Sequence, residues 1–333
     1  MKNYSTSKVF VAACAGMAFF GVTMLSLAPI LGPLNESVQG ANALPSTMSI
    51  GIIIGTILFG PVVDKFGYKW LLIIASLSAL AGIQGLACFQ QIKWLHTSIA
   101  MLGLGGGILN GLTNALVSDI YDDDKRGGRL GILGACYCLG ALLWTLLNYF
   151  IPDYRLPLNT MSVIMLLCIL FFFFISFPQA KGQESVCLGK TLGLLKYPAL
   201  IMFAIVLQGM LRDGVTTWMP SYIKSTYNLG TEISILTGVV LPVFSIFCVN
   251  FTSSIYRKKF SNPMTCAMVL FGLGAVSSLC VALFTGKNVI LSVLFSALLT
   301  GAMHGVNLML ISMIPPFFEK RGNVSTVSGV LNS

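Results

Sequence analysis

The sequence predicts an all-α integral membrane protein, and three observations carry that expectation. Hydrophobic residues make up 56% of the 333 and charged residues only 9%, against roughly 25% charged in a soluble domain. Mean hydropathy is +0.85. The apolar residues also fall into separate runs, each near the about 20 residues that a helix needs to cross a bilayer. Finally, lysine and arginine alternate from one intervening segment to the next in the manner of a multi-pass topology.

The spans follow in order at 9–31, 44–63, 70–92, 97–118, 130–151, 157–177, 197–221, 233–255, 262–285 and 289–314. Lys2 and Lys8 precede an uncharged run from Val9 to Asn35. That run exceeds the roughly 7 to 15 residues of a signal-peptide core, so it reads as a retained first span. Lys65 and Lys69 separate spans 2 and 3, Lys93 separates 3 and 4, and an acidic then basic segment from Asp119 to Arg129 separates 4 and 5. Arg155, Lys224, the run Arg257, Lys258, Lys259, and Lys287 bound the later spans. The longest polar connection runs from Pro178 to Lys196. It divides the chain into an N-terminal six-helix bundle over 1–177, a cytoplasmic linker over 178–196 and a C-terminal bundle over 197–333. The last twelve residues, Gly322 to Ser333, begin an eleventh helix too short to cross, and the sequence reads as a fragment truncated there.

With the N-terminus inside, Lys93, Arg155, Lys224 and Lys287 are the external basic residues and Arg212 lies within a span. The other fifteen of the 20 are cytoplasmic. The positive-inside rule therefore gives a cytoplasmic N-terminus, and a multi-pass protein of the plasma membrane is expected. The net charge of +9 does not point to nucleic acid, because the basic residues are scattered between apolar runs without interleaved aromatics. The nine cysteines show no paired spacing and mostly sit inside apolar runs as small packing residues. With His96 and His304 as the only histidines, a His-rich metal site is excluded, and neither a metal nor a cofactor is expected.

Charge inside a span marks the candidate site. Arg212 and Asp213 stand within the apolar run of span 7, where each costs about 2.5 to 3.5 kcal/mol to insert and persists only with a cavity or partner. Gln208, Arg212 and Thr216 recur every four residues on one helical face. Asp213 lies about 100° around the axis, which directs the two charges to different neighbours. The competing reading is a structural ion pair satisfied within the bundle.

The segment Gly60-Pro61-Val62-Val63-Asp64-Lys65-Phe66-Gly67-Tyr68-Lys69 resembles the G-x-x-x-D-[RK]-x-G-[RK]-[RK] loop of the major facilitator superfamily, in the same place after the second span. Tyr68 stands where that pattern has a basic residue. A degenerate counterpart, Ile255-Tyr256-Arg257-Lys258-Lys259, follows span 8. The resemblance implies two six-helix bundles, the second incomplete here, packed around a midplane site. It also implies that Gly60, Asp64, Lys65, Gly67 and Lys69 form a loop acting in conformational cycling.

Leu211 to Tyr222 is similar to the L-R-Y-G-x-x-x-W-x-P-T-Y pattern of the organophosphate:phosphate antiporters, and this similarity brings in Trp218. The pattern's arginine is half of a phosphate clamp whose other half lies in helix 1. Span 1 here carries no charge, and Asp213 replaces the tyrosine. The superfamily's helices 1, 4, 7 and 10 line the cavity. That implies Asn110 and Asn114 on span 4, and His304 and Asn307 on span 10, as substrate-binding residues beside Gln208, Arg212, Asp213 and Trp218. For the asparagines the alternative is interhelical hydrogen bonding beside the small-residue ridge Gly103, Gly107 and Gly111. Gly103 to Gly107 lies inside a span with no preceding strand, so it reads as packing and not as a nucleotide loop.

The resulting expectation is a secondary active transporter, symporter or antiporter, working as a monomer. It would move a small polar solute, anionic if Arg212 binds it, with a coupling proton on Asp213 or His304. No catalytic residue is expected. One alternative is a membrane enzyme of the prenyltransferase type, suggested by Asp119, Asp122, Asp123 and Asp124 but lacking a second acidic motif. The other is a transporter-like receptor.

Overall fold

A computed structural model describes residues 4–151, 153–179 and 199–314. Among these, ten helical segments are long and apolar enough to cross a membrane, and they follow the ten expected spans closely. The helices are α1 (Thr6–Leu25), a short α2 (Leu31–Ser37), α3 (Leu44–Cys88), α4 (Ile92–Ile120), α5 (Asp123–Phe150) and α6 (Arg155–Phe173). After these come α7 (Ala199–Tyr227), α8 (Thr231–Lys259), α9 (Pro263–Phe284) and α10 (Val289–Asn307), and a π-helical turn (Leu308–Met313) extends α10. No strand occurs among the described residues. The expected linker at 178–196 and the expected eleventh-helix start lie almost wholly outside the described residues.

Two boundaries differ from expectation. Hydropathy extends the first span to 31, but α1 ends at Leu25. Pro29 has no N–H to continue the ladder, and the Ser26 hydroxyl donates to Thr23 O at 2.8 Å, satisfying a terminal carbonyl. The chain then turns through α2, where Asn35 Nδ2 donates to Asn42 Oδ1 at 2.6 Å. Spans 2 and 3 also join in one run, α3, which bends at Gly67 with φ 74° and ψ 167°. A side chain there would be strained, so glycine permits the reversal without an extended loop.

Close backbone approach holds the first six spans together. A Cβ at Gly103 or Gly107 on α4 would overlap the carbonyl oxygens of Met48 and Ile52 on α3. These glycines therefore serve packing, as expected of a small-residue ridge. A Cβ at Gly21 on α1 would likewise overlap Tyr137 O on α5. In the other part of the chain, α8 and α9 both pack on α10, where a Cβ at Gly301 would come within 2.6 Å of Cys248 Sγ.

The two parts meet along α5 and α8. At the end that holds Asp123 and Lys259, Ser253 Oγ donates to Gly127 O at 3.3 Å. In the same stretch, Gly131 faces Ser253 and Gly134 faces Val249. Capping follows the sequence at α9 and α10. Asn262 accepts from Met264 N at 2.9 Å and Asn288 from Leu291 N at 3.1 Å, each occupying a donor the helix leaves unpaired.

Candidate functional site

A small, partly open cavity lies between α1, α4, α5, α7, α8 and α10. Its polar lining comes from Asn110, Asn114, Tyr137, Arg212, His304, Asn307 and Ser312. Five of the eight expected binding residues thus converge from three helices.

On α4, Asn114 Nδ2 donates to Asn110 O at 2.9 Å and to Asn110 Oδ1 at 3.2 Å. Ser312 on the π-turn donates to Asn114 Oδ1 at 3.1 Å. Both asparagines line the cavity, and Asn114 also bonds to a neighbouring helical segment, as the interhelical alternative expects. The wider π-turn brings Ser312 to this contact, and such turns are frequent at functional sites.

On α10, His304 is 8% exposed. Its Nδ1 lies 2.9 Å from Thr300 O and 3.1 Å from Ser245 Oγ on α8. The Tyr137 ring stands 5.4 Å from the imidazole, tilted by 43°, and the Phe20 ring also lies 5.4 Å from Tyr137. His304 Nε2 and Asn307 Oδ1 are buried and have no hydrogen-bond partner among the described residues.

On α7 the expected geometry needs correction. Arg212 Nε donates to Asp213 Oδ1 at 2.7 Å and Nη2 donates to Asp213 Oδ2 at 3.0 Å, a two-point pair. The charges were expected to seek different neighbours because their Cα–Cβ directions diverge by about 100°. The long guanidinium arm instead curls around the helix, and pairing offsets the cost of a charge removed from water. The Arg212 side chain is 13% exposed and that of Asp213 39%. Thr216 donates to Arg212 O at 2.7 Å and lines a smaller adjoining cavity with Ser245 and His304.

The remaining expected residues sit elsewhere. Gln208 is 1% exposed, its Nε2 has no partner among the described residues, and it does not line the main cavity. Trp218 is 55% exposed and stands outside the cavity on the outer face of α7. Sequence reasoning missed Tyr137, Ser245 and Ser312. Tyr137 lies on α5, outside the set of helices that the family resemblance pointed to, and a serine in an apolar run gives almost no polarity signal.

The 60–69 segment lies far from these residues in sequence and contacts other helix ends. Lys69 Nζ donates to Phe173 O at the end of α6 at 2.7 Å. Lys65 stands over the Phe66 ring at 5.6 Å, and Gly67 forms the bend. Tyr68, 2% exposed, donates to Asp119 Oδ2 at the end of α4 at 2.6 Å. Gly60 is an ordinary helical residue there, with open space where its Cβ would be. The Asp64 side chain lies outside what is described, as do those of Asp123 and Asp124. Asp122 is the N-cap residue of α5.

The profile of the Major Facilitator Superfamily matches residues 9–333. The cis,cis-muconate transport protein of Acinetobacter baylyi is 25% identical over 318 residues, covering 90% of this chain and 76% of that protein. Citrate exporter 1 of Yarrowia lipolytica is 27% identical over 203 residues, covering 59% of this chain but only 29% of its own length. Among solved structures, the partially occluded inward-open xylose transporter XylE from E. coli superposes with a TM-score of 0.75 at 17% identity. That match covers 98% of this chain and 88% of the other, and it is a likeness of fold.

Proposed function

The chain belongs to the Major Facilitator Superfamily, and on that premise we propose that it is a secondary active transporter moving a small organic anion by alternating access. The observation that carries this reading is Arg212. Its guanidinium stays charged at any physiological pH, lines a cavity shared by α4, α7 and α10, and is held there by one carboxylate from its own helix. A substrate carboxylate offers the same two-oxygen fork as Asp213 and can exchange with it. The neighbouring asparagines and His304 supply orientation. The relatives named for muconate and citrate are transporters of organic acids by their names, which supports the anionic class and points away from an enzyme.

In this reading residues 1–177 and 197–333 act as two bundles that rock about the cavity, joined by the 178–196 segment. The closely packed α5–α8 contact near Gly131 and Ser253 is the closed end, cytoplasmic by the distribution of basic residues. Asp213 is the proton carrier. A substrate that takes Arg212 away frees the Asp213 carboxylate from its two-point pair, which links substrate binding to this group. The plasma membrane is the proposed location. A neutral sugar is the second reading, favoured by the fact that Arg212 is already satisfied by Asp213.

The test is counterflow in proteoliposomes with radiolabelled succinate and D-xylose. Exchange of succinate that disappears in Arg212→Gln supports the anion reading. Exchange of D-xylose that survives Arg212→Gln overturns it.

A further inference from the structure

The hydrogen positions of His304 can be read from its partners. A backbone carbonyl only accepts, and Thr300 O lies 2.9 Å from Nδ1, so Nδ1 carries a hydrogen and donates it. Ser245 Oγ, at 3.1 Å, can accept from the same N–H. In the neutral ring the other nitrogen, Nε2, is then a bare acceptor. This acceptor is buried and has no partner among the described residues, and its residue is one of those that line the cavity.

Three residues along the same face, Asn307 Oδ1 is a second buried acceptor in the same condition. The carbonyl of Thr300, the hydroxyl of Ser245 and the Tyr137 ring fix the imidazole, so Nε2 cannot turn away to find a donor. Among the residues that line the cavity, α7 therefore contributes a cation, Arg212, and α10 contributes two unpartnered acceptors.

A plain carboxylate satisfies only Arg212. It brings acceptors alone, and leaves Nε2 and Oδ1 facing no donor, which buried polar atoms do not tolerate cheaply. An ammonium group would donate but would add a second positive charge to a cavity that already holds Arg212. A hydroxyl donates without charge.

We propose that the substrate is a hydroxycarboxylate, whose carboxylate binds Arg212 and whose hydroxyl donates to His304 Nε2, with Asn307 taking a second hydroxyl where one exists. His304 is thus the residue that distinguishes a hydroxylated acid from its deoxy counterpart. This inference rests on the anion reading of the cavity and narrows it to one chemical class.

Binding to the purified full chain in detergent, followed by thermal shift and calorimetry, tests it with three matched pairs: lactate and propionate, malate and succinate, gluconate and hexanoate. L-Alanine serves as the ammonium control. In at least one pair the hydroxy acid binds tenfold or more tightly than its deoxy partner, because a site built to accept from a hydroxyl rejects the analogue that lacks it. His304→Leu removes that gap and His304→Gln, which retains an acceptor, preserves part of it. The second variant guards against a fold defect in the first.

Equal binding within every pair overturns the hydroxyl inference while leaving the anion reading intact. Binding of D-xylose but of no acid overturns both. Tighter binding of L-alanine than of lactate replaces the hydroxyl with an ammonium and also overturns the proposal, as does the absence of binding by every acid.

Discussion

Arg212 and Asp213, adjacent in sequence on α7, form a two-point ion pair at 2.7 and 3.0 Å, and of the two Arg212 lines the cavity. The pair keeps a permanent cation in an apolar bundle without a substrate, yet Asp213 remains 39% exposed and can be exchanged. Removing the carboxylate should therefore expose two functions at once. Asp213→Asn is expected to lower the melting temperature without ligand, since it leaves Arg212 uncompensated. The same variant should gain more stability from a bound anion than the parent does, because binding to the native state adds directly to stability. It should also abolish proton-driven accumulation while keeping exchange. Calorimetric melts with and without anion, and uptake into proteoliposomes under a pH gradient, check the two halves; intact accumulation would assign coupling elsewhere.

Arg212→Lys keeps the charge but loses the planar fork. Anion affinity should fall about tenfold, roughly 1.4 kcal/mol, in a protein that still folds. Unchanged affinity in direct binding measurements would mean that Arg212 serves the bundle alone.

Tyr68 and Asp119 tie the bend of α3 to the end of α4. Tyr68→Phe removes the donor without changing the ring. Turnover should slow several-fold with equilibrium binding unchanged, because the contact lies at helix ends away from the cavity-lining residues. A large loss of affinity at constant turnover would contradict this.

Gly131 on α5 faces Ser253 on α8, and a Cβ there would come within 2.9 Å of Ser253 Oγ. Gly131→Val should hold the two helices apart at that end. Spin labels replacing the exposed Lys125 and Lys258 should report a longer mean separation than in the parent protein.

Gly107 is the packing counterpart. Its Cβ would overlap the Ile52 carbonyl, a backbone atom that cannot rotate aside. Gly107→Val should destabilise by at least the about 1 to 3 kcal/mol typical of overpacking, read as a lowered melting temperature or loss of folded protein. A melting temperature equal to that of the parent would show that α3 and α4 can separate freely.

Much of the architecture was legible in the chain. The cost of placing a residue in lipid belongs to that residue and adds up along a helix. Runs of apolar residues therefore located ten spans, and the rarity of charge within them singled out Arg212. Helical spacing placed Asn110 with Asn114 and His304 with Asn307 on common faces, and all four line the cavity. The break after span 1 was missed because hydropathy continues past Leu25 although the hydrogen-bond ladder does not. The bend at Gly67 is indistinguishable from a loop in sequence, because its charged neighbours look the same whether the helix stops or turns.

Other features depended on which helices became neighbours. Tyr137 and Ser245 matter because α5 and α8 bring them to His304, and nothing in their own spans says so. Trp218 belongs to the α7 pattern by sequence, but the rotation of α7 against α8 and α10 turns it outward. The pairing of Arg212 with Asp213 depended on where a flexible six-bond arm finds its best partner, which helical spacing of Cβ atoms does not specify. Transfer energies and backbone periodicity are local and can be read one residue at a time. The partners of long polar side chains, and the cavity they line, arise from the interlocking of helices far apart in sequence, so they exist only once the bundle has formed.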